Sequence, residues 1–288
     1  MDNNTEIVKA VQSKGFFTKE NWLSPEDLEE ASRIVMSIKP VRPSTLGLVP
    51  YNLPKILTKL CKFDIKAIYR SIFFLRMANK LRLKNIAEKI FNEKAKLHGI
   101  DFYYNPQSEK PVLNWHCDTA YSDYEGNKDV KDFIHPDNYS IKFFFYLTDV
   151  SSENGCLSYI PTSNKITYAL KKGIFEGRLK YSPYWSLHDY RNTIQKKEYY
   201  DYIKNLIGED VISKFLDISN LESSKSDSDF FGNSSSKSRK NNSENIFDNE
   251  IKKGGAIIFN ESGIHRGSKT KLSYRAVFRF FYKRASQF

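Results

Sequence analysis

The chain has 288 residues, of which 40% are hydrophobic and 15% aromatic, enough to bury a sizeable core and unlike a disordered tail. No run approaches the ~18 apolar residues of a membrane span, and the opening MDNNTEIVKA has no signal-type apolar segment, so a cytoplasmic protein is expected. The formal net charge is +11, and residues 1–100 carry +8 of it, a balance that suits an anionic partner as readily as a solvated lysine-rich surface.

Gly15-Phe16-Phe17 reads as a short strand. Ser24 then offers an N-cap, Pro25 a first helical position, and Glu26 and Asp27 first-turn acids. The stripe Leu28, Ala31, Ile34, Val35 and Ile38 continues that helix until Pro40 stops it. Prolines at 40, 43, 50 and 54 mark an irregular connection. From Lys55 to Leu97, Ile56, Leu57, Leu60, Ile65, Ile68, Ile72, Ile86, Ile90 and Phe91 outline basic amphipathic helices. The ordinary expectation is that their apolar side packs on a domain and their lysines face water. Contact with nucleic acid is the rival, and it lacks a recognised binding-module pattern.

After His98 the character changes to strands. Ile100–Tyr104, Leu113–His116, Ser140–Thr148, Leu157–Ile160, Gly255–Phe259 and Tyr274–Tyr282 are rich in aromatic and β-branched residues and bounded by turn formers. A helical interlude is predicted between Tyr184 and Phe215. Residues 219–243 hold ten serines without periodicity, which predicts a mobile surface insertion spanning about 217–248, with Phe230-Phe231 as the apolar exception in its middle. The expected organisation is one domain over 1–288: a helical part at 1–98, then an all-β core at 99–282 with flanking helices, built as a sandwich or barrel.

Three widely spaced cysteines, Cys61, Cys117 and Cys156, argue against a disulfide scaffold or a thiolate zinc site. Any metal would sit on His and carboxylate. On a strand, His116 and Asp118 would project to one side, with Cys117 opposite. If the fold brings His265 across from them, two imidazoles and one carboxylate form a face with three open positions. That ligation is typical of non-haem Fe(II) oxygenases, leaving two positions for a 2-oxo acid and one for O2. Arg275 shares a strand face with Val277 and Arg279, and a buried guanidinium there needs a carboxylate partner. Asn114, two residues before His116, would share its interior face. Lys142 could face the same pocket or reach out to solvent.

These segments resemble the Fe(II)/2-oxoglutarate-dependent dioxygenase superfamily, in particular its phytanoyl-CoA dioxygenase-like branch. The family's W-H-x-D segment is matched by Trp115, His116 and Asp118. Its N-G-x-L segment is matched by Asn154-Gly155-Cys156-Leu157, and its P-G-S-H-(K/R) segment by Pro161, Ser163 and Lys165. There Thr162 and Asn164 replace the usual Gly and His. The closing segment is matched by His265, Gly267, Ser268 and Arg275, and the opening one by Gly15-Phe16-Phe17 with Leu23-Ser24-Pro25-Glu26.

The resemblance implies a double-stranded β-helix (jelly roll, cupin-like). It implies His116, Asp118 and His265 as iron ligands, Arg275 on the distal carboxylate of 2-oxoglutarate, and Asn114 and Ser268 as further cosubstrate contacts. Halogenases of this branch carry a small residue where Asp118 stands, so hydroxylation of an unactivated C–H bond, with release of succinate and CO2, is the expected outcome. Oxidation of nucleic acid or of a protein side chain, and a binding-only jelly roll, are the alternatives. The substrate walls are expected from Ala120–Ile134, Lys171–Tyr190 and the region of Phe230. Their aromatic residues, among them Tyr121, Phe175, Tyr181, Tyr184, Trp185 and Tyr190, suit an apolar or ring-bearing small molecule, including one with an anionic handle.

Overall fold

The computed structural model describes residues 3–39, 44–45, 65–118, 135–181, 187–217 and 247–287. Chain order begins α1 (Asn3–Lys14), β1 (Phe16–Lys19), α2 (Pro25–Ile38), β2 (Ser44–Thr45), α3 (Ile65–Lys80) and α4 (Leu83–Phe91). It continues with β3 (Ala95–Asn105), β4 (Ser108–His116), β5 (Ile141–Tyr146), β6 (Leu157–Tyr159) and the helices α5 (Ser163–Phe175), α6 (Leu187–Ile194) and α7 (Lys197–Ile207). The strands β7 (Asp248–Asn249), β8 (Ala256–Asn260), β9 (His265–Thr270) and β10 (Arg275–Arg284) follow.

Two antiparallel sheets form the jelly roll. The larger runs β1-β8-β5-β10-β3-β2 and the smaller β4-β9-β6-β7. Their composition explains the layering. In β5, Ile-Lys-Phe-Phe-Phe-Tyr, every residue is buried, because both faces of the strand are covered. Phe143 and Phe145 face outward with Phe278 and Phe280 of β10 into a core closed by α1–α4. Phe145 stacks on Phe278 at 4.9 Å, and Phe74 of α3 meets Phe278 at 5.0 Å. Phe144 and Tyr146 point the other way, with Leu157, Tyr159, Phe259 and Val277, into the space between the sheets. The smaller sheet is backed by α5, α6 and α7, whose Ile166, Leu170, Tyr190 and Ile203 pack with Trp115 and Cys117.

Ser24 caps α2 as its sequence requires, its hydroxyl accepting the Asp27 N–H at 3.2 Å. The basic helices α3 and α4 pack Phe74, Met77, Ile86 and Ile90 on the larger sheet, whereas Ile72 of the expected stripe is exposed. Several boundaries differ from the sequence expectation. Strand begins at Ala95 rather than beyond His98, since β3 pairs with β10 as far as Ala95↔Arg284. The short strand expected at Gly15-Phe16-Phe17 is β1, which runs on to Lys19 and adds an edge strand to β8. Helix α5, Ser163–Phe175, was not among the expected elements. Cys117 and Cys156 are buried free thiols.

Most of the connection between Pro40 and Pro54, the positions Ile56, Leu57, Leu60 and Cys61, the segment Ala120–Ile134, Tyr184 and Trp185, and residues 218–246 with Phe230 lie outside the described residues. Among the described residues, no helix is long and apolar enough to cross a membrane.

Thr162, where the resembled motif carries Gly, precedes α5 with φ of +67°. A β-branched residue is strained in that left-handed region. The turn is kept because the Thr162 N–H donates to the Lys14 carbonyl at 2.8 Å, tying α5 to α1. Thr162→Gly is expected to raise the unfolding free energy by about 1 kcal/mol. Chemical denaturation would check this, and a loss of stability would contradict it.

Candidate active site

The smaller sheet builds the site through an irregular pairing. β4 and β9 match Leu113 with Gly267 and then His116 with His265, so three steps on one strand meet two on the other. This bulge turns His116 toward the same cavity as Leu113 and brings its ring to 4.4 Å from that of His265. The His116 Nδ1 lies 2.6 Å from the Asn114 carbonyl, and the His265 Nδ1 lies 2.8 Å from the Gly263 carbonyl. A carbonyl only accepts, so both Nδ1 atoms carry a proton, and in the neutral imidazole each Nε2 then presents a lone pair. At Gly263 a Cβ would lie 1.8 Å from the Tyr159 hydroxyl, so only glycine lets that turn sit against the tyrosine.

Asp118 lies beyond the end of β4, and strand alternation does not place it. Its N–H donates to the Glu261 carbonyl at 3.4 Å, which folds the turn back over the two rings. Oδ1 then stands 3.3 Å from His116 Nε2 and Oδ2 3.3 Å from His265 Nε2. The three side chains can offer ligand atoms that all lie within 4.8 Å of one another. Burial would raise the Asp118 carboxyl pKa, but Lys142 and then His265 outweigh it and hold the group well below the ordinary carboxylate range. Burial, reinforced by His116, pushes the His265 pKa down. An ionised carboxylate beside imidazole lone pairs is a donor set that fits a divalent cation.

The cavity, about 380 Å³, is walled by Val112, Leu113, Phe144, Leu157 and Phe259 and holds Lys142, Arg266, Arg275 and Arg279. Arg279 makes a two-pronged pairing with Asp101, and Arg266 lies 3.3 Å from Asp248. Lys142 pairs with Asp118 and Glu261. Arg275 differs. It is 1% exposed, donates to the Gly155 carbonyl at 2.8 Å and to the Tyr103 hydroxyl at 2.7 Å, and its Nε has no partner. Among the described residues no carboxylate reaches it. A buried guanidinium in that state is costly unless an anionic ligand completes it.

The structure thus brings His116, Asp118, His265 and Arg275 to one cavity and keeps two other expected contacts out. The expected inward placement of Asn114 is corrected: the bulge reverses the alternation, and its side chain is exposed. The expected contact from Ser268 is corrected as well. Ser268 is three residues from His265 on β9 and faces the opposite side, where its hydroxyl donates to the Ser151 carbonyl at 3.2 Å. Sequence reasoning missed Glu261, Tyr103 and the Gly155 carbonyl, and left Lys142 undecided. A lysine inside the apolar run of β5 was the available signal.

The family model for phytanoyl-CoA dioxygenase (PhyH) matches residues 64–273. The chain belongs to the phytanoyl-CoA dioxygenase family. Its members are Fe(II)- and 2-oxoglutarate-dependent enzymes, and the His-Asp-His set of this chain fits that cofactor pair. No curated protein matches the chain at the sequence level. Among solved structures, the epimerase SnoN in complex with Fe3+, alpha ketoglutarate and nogalamycin RO is similar at a TM-score of 0.52 and 12% identity, with 98% of this chain and 84% of that one covered. HygX from Streptomyces hygroscopicus with iron bound is similar at a TM-score of 0.52 and 13% identity, with 97% and 86% covered. Both likenesses speak to the jelly-roll fold.

Gly155 has φ of +74°, and a Cβ there would lie 2.6 Å from Arg275 Cδ. Gly155→Ala is expected to displace the guanidinium and weaken 2-oxoglutarate binding by roughly tenfold or more, on the scale of one lost charge-assisted hydrogen bond. Calorimetric titration of the metal-loaded protein would measure it, and an unchanged affinity would contradict the placement of Arg275.

Proposed function

We propose that this protein is an Fe(II)- and 2-oxoglutarate-dependent oxygenase that hydroxylates an unactivated C–H bond of a small organic molecule. The observation that carries the reading is the pairing of an ionised carboxylate and two Nε2 lone pairs with a buried guanidinium that has no carboxylate partner among the described residues, all in one cavity. His116, Asp118 and His265 would hold the iron, and Arg275 would hold the distal carboxylate of 2-oxoglutarate. When bound, the iron and 2-oxoglutarate supply the power to use O2 against a C–H bond, with one oxygen atom going to the substrate and the other to succinate as CO2 leaves.

The chain's own residues orient and enclose. The Asn114 and Gly263 carbonyls fix the tautomer and pitch of the two imidazoles. The Gly155 carbonyl and Tyr103 hydroxyl aim Arg275 inward. Phe144, Leu157 and Phe259 keep the walls dry, and Leu113, 44% exposed, offers an apolar surface beside the cavity to an arriving substrate. Asp118 occupies the carboxylate position, which supports hydroxylation over halogen transfer. The apolar walls support a substrate whose reacting part is hydrocarbon, with any anionic handle held outside the cavity.

Anaerobic addition of Fe(II) and 2-oxoglutarate is expected to produce a weak visible charge-transfer band, and O2 is expected to convert 2-oxoglutarate to succinate. His116→Ala should abolish the band. Arg275→Ala should raise the 2-oxoglutarate Kd by roughly a hundredfold, about 3 kcal/mol. A folded, iron-loaded protein that gives no band with 2-oxoglutarate would overturn the reading.

A further inference from the structure

Lys142 is the one charged side chain in β5, whose six residues are all buried. Its ammonium touches Asp118 Oδ2 and lies 3.2 Å from Glu261 Oε2. The other Glu261 oxygen, Oε1, accepts the Ser140 N–H at 2.6 Å, so Glu261 is pinned by backbone. The ring of Phe281 lies 5.0 Å from the Lys142 Nζ and closes the remaining side. One cation is therefore locked between two carboxylates, one of which belongs to the His-Asp-His set.

Such a lysine could act in two opposed ways. As an orienting donor it would steady Asp118, and its loss would weaken metal binding. As a charge it would repel a dication a few ångströms away, and its loss would strengthen metal binding. The geometry separates the two. The backbone of Asp118 is already held by its N–H on the Glu261 carbonyl, which fixes where the side chain starts without help from the ammonium. The charge, by contrast, has no substitute. Without it Asp118 and Glu261 would face each other across a buried space as uncompensated anions.

We propose that Lys142 is the built-in counter-ion of the metal centre, holding Asp118 and Glu261 together before metal arrives and loosening the metal's grip once it is bound. This role rests on the reading of His116, Asp118 and His265 as the metal ligands. It predicts opposite effects from the two ends of the Lys142–Glu261 pair. Removing the cation leaves a more negative site. Removing Glu261 leaves the ammonium to Asp118 alone and the site more positive.

The test is a titration of the full-length protein with Co(II), read by its visible ligand-field absorption, alongside the thermal midpoint of the metal-free protein. Lys142→Met is expected to bind Co(II) about tenfold more tightly or better, with a lowered metal-free midpoint. Glu261→Gln is expected to bind about tenfold more weakly. Weaker binding in both variants would assign Lys142 an orienting role and overturn the counter-ion, as would unchanged binding in both. If Lys142→Met does not fold, Glu261→Gln decides alone, and unchanged or tighter binding overturns the proposal. Failure of the metal-site reading itself looks different: the wild-type Co(II) spectrum would then persist in His116→Ala, and the counter-ion role would fall with it.

Discussion

The pairing of β4 with β9 is the constraint on which the site depends. A regular ladder would put His116 and Leu113 on opposite faces. The extra residue between Leu113 and His116 puts both on the cavity side and sets the His116 ring against that of His265. The same distortion leaves the Asn114 carbonyl free to accept a hydrogen bond from the His116 Nδ1–H, so one irregularity supplies both the direction and the tautomer of a ligand. On the other strand, the 260–264 turn does the same for His265 through Gly263. The larger sheet and its four helices hold these two strands in place but contribute different chemistry, namely the charges of Lys142, Arg275 and Arg279.

Charge compensation organises that contribution. Among the described residues, Arg279 is matched by Asp101, Arg266 by Asp248, and Lys142 by Asp118 with Glu261. Each cation lies close to its carboxylate, as buried charge requires. Arg275 breaks the pattern, because its contacts are a carbonyl and a phenol. An arrangement that neutralises three cations and leaves a fourth, buried one in the same cavity without a carboxylate is what a dianionic cosubstrate needs. The oxidising power would come from that cosubstrate and the iron, so the protein's task reduces to aim, charge and dryness.

Much of this was legible in the sequence because it is local or carried by motif order. The strand composition of 140–148 and 274–282 announced a sandwich or barrel, which the family resemblance narrowed to a jelly roll, and Ser24-Pro25 announced α2. His116, Asp118, His265 and Arg275 stood out once their spacing was read against the family pattern. What could not be read was non-local or irregular. The bulge that exposes Asn114 leaves no mark in the residues, since an alternation argument assumes a regular strand. Glu261 reaches Lys142 across more than a hundred residues of chain, so neither announces the other. Ser268 is a different case: its distance of three residues from His265 already assigned it to the opposite face.

The proposed function requires that one cavity hold iron on His116, Asp118 and His265 and a carboxylate on Arg275. Anomalous diffraction at the iron edge, from crystals grown anaerobically with Fe(II) and 2-oxoglutarate, tests it directly. A single anomalous peak among the three side chains, with ligand density running from it to the Arg275 guanidinium, is the predicted result. A peak elsewhere, or iron on the triad with 2-oxoglutarate bound away from Arg275, would contradict it.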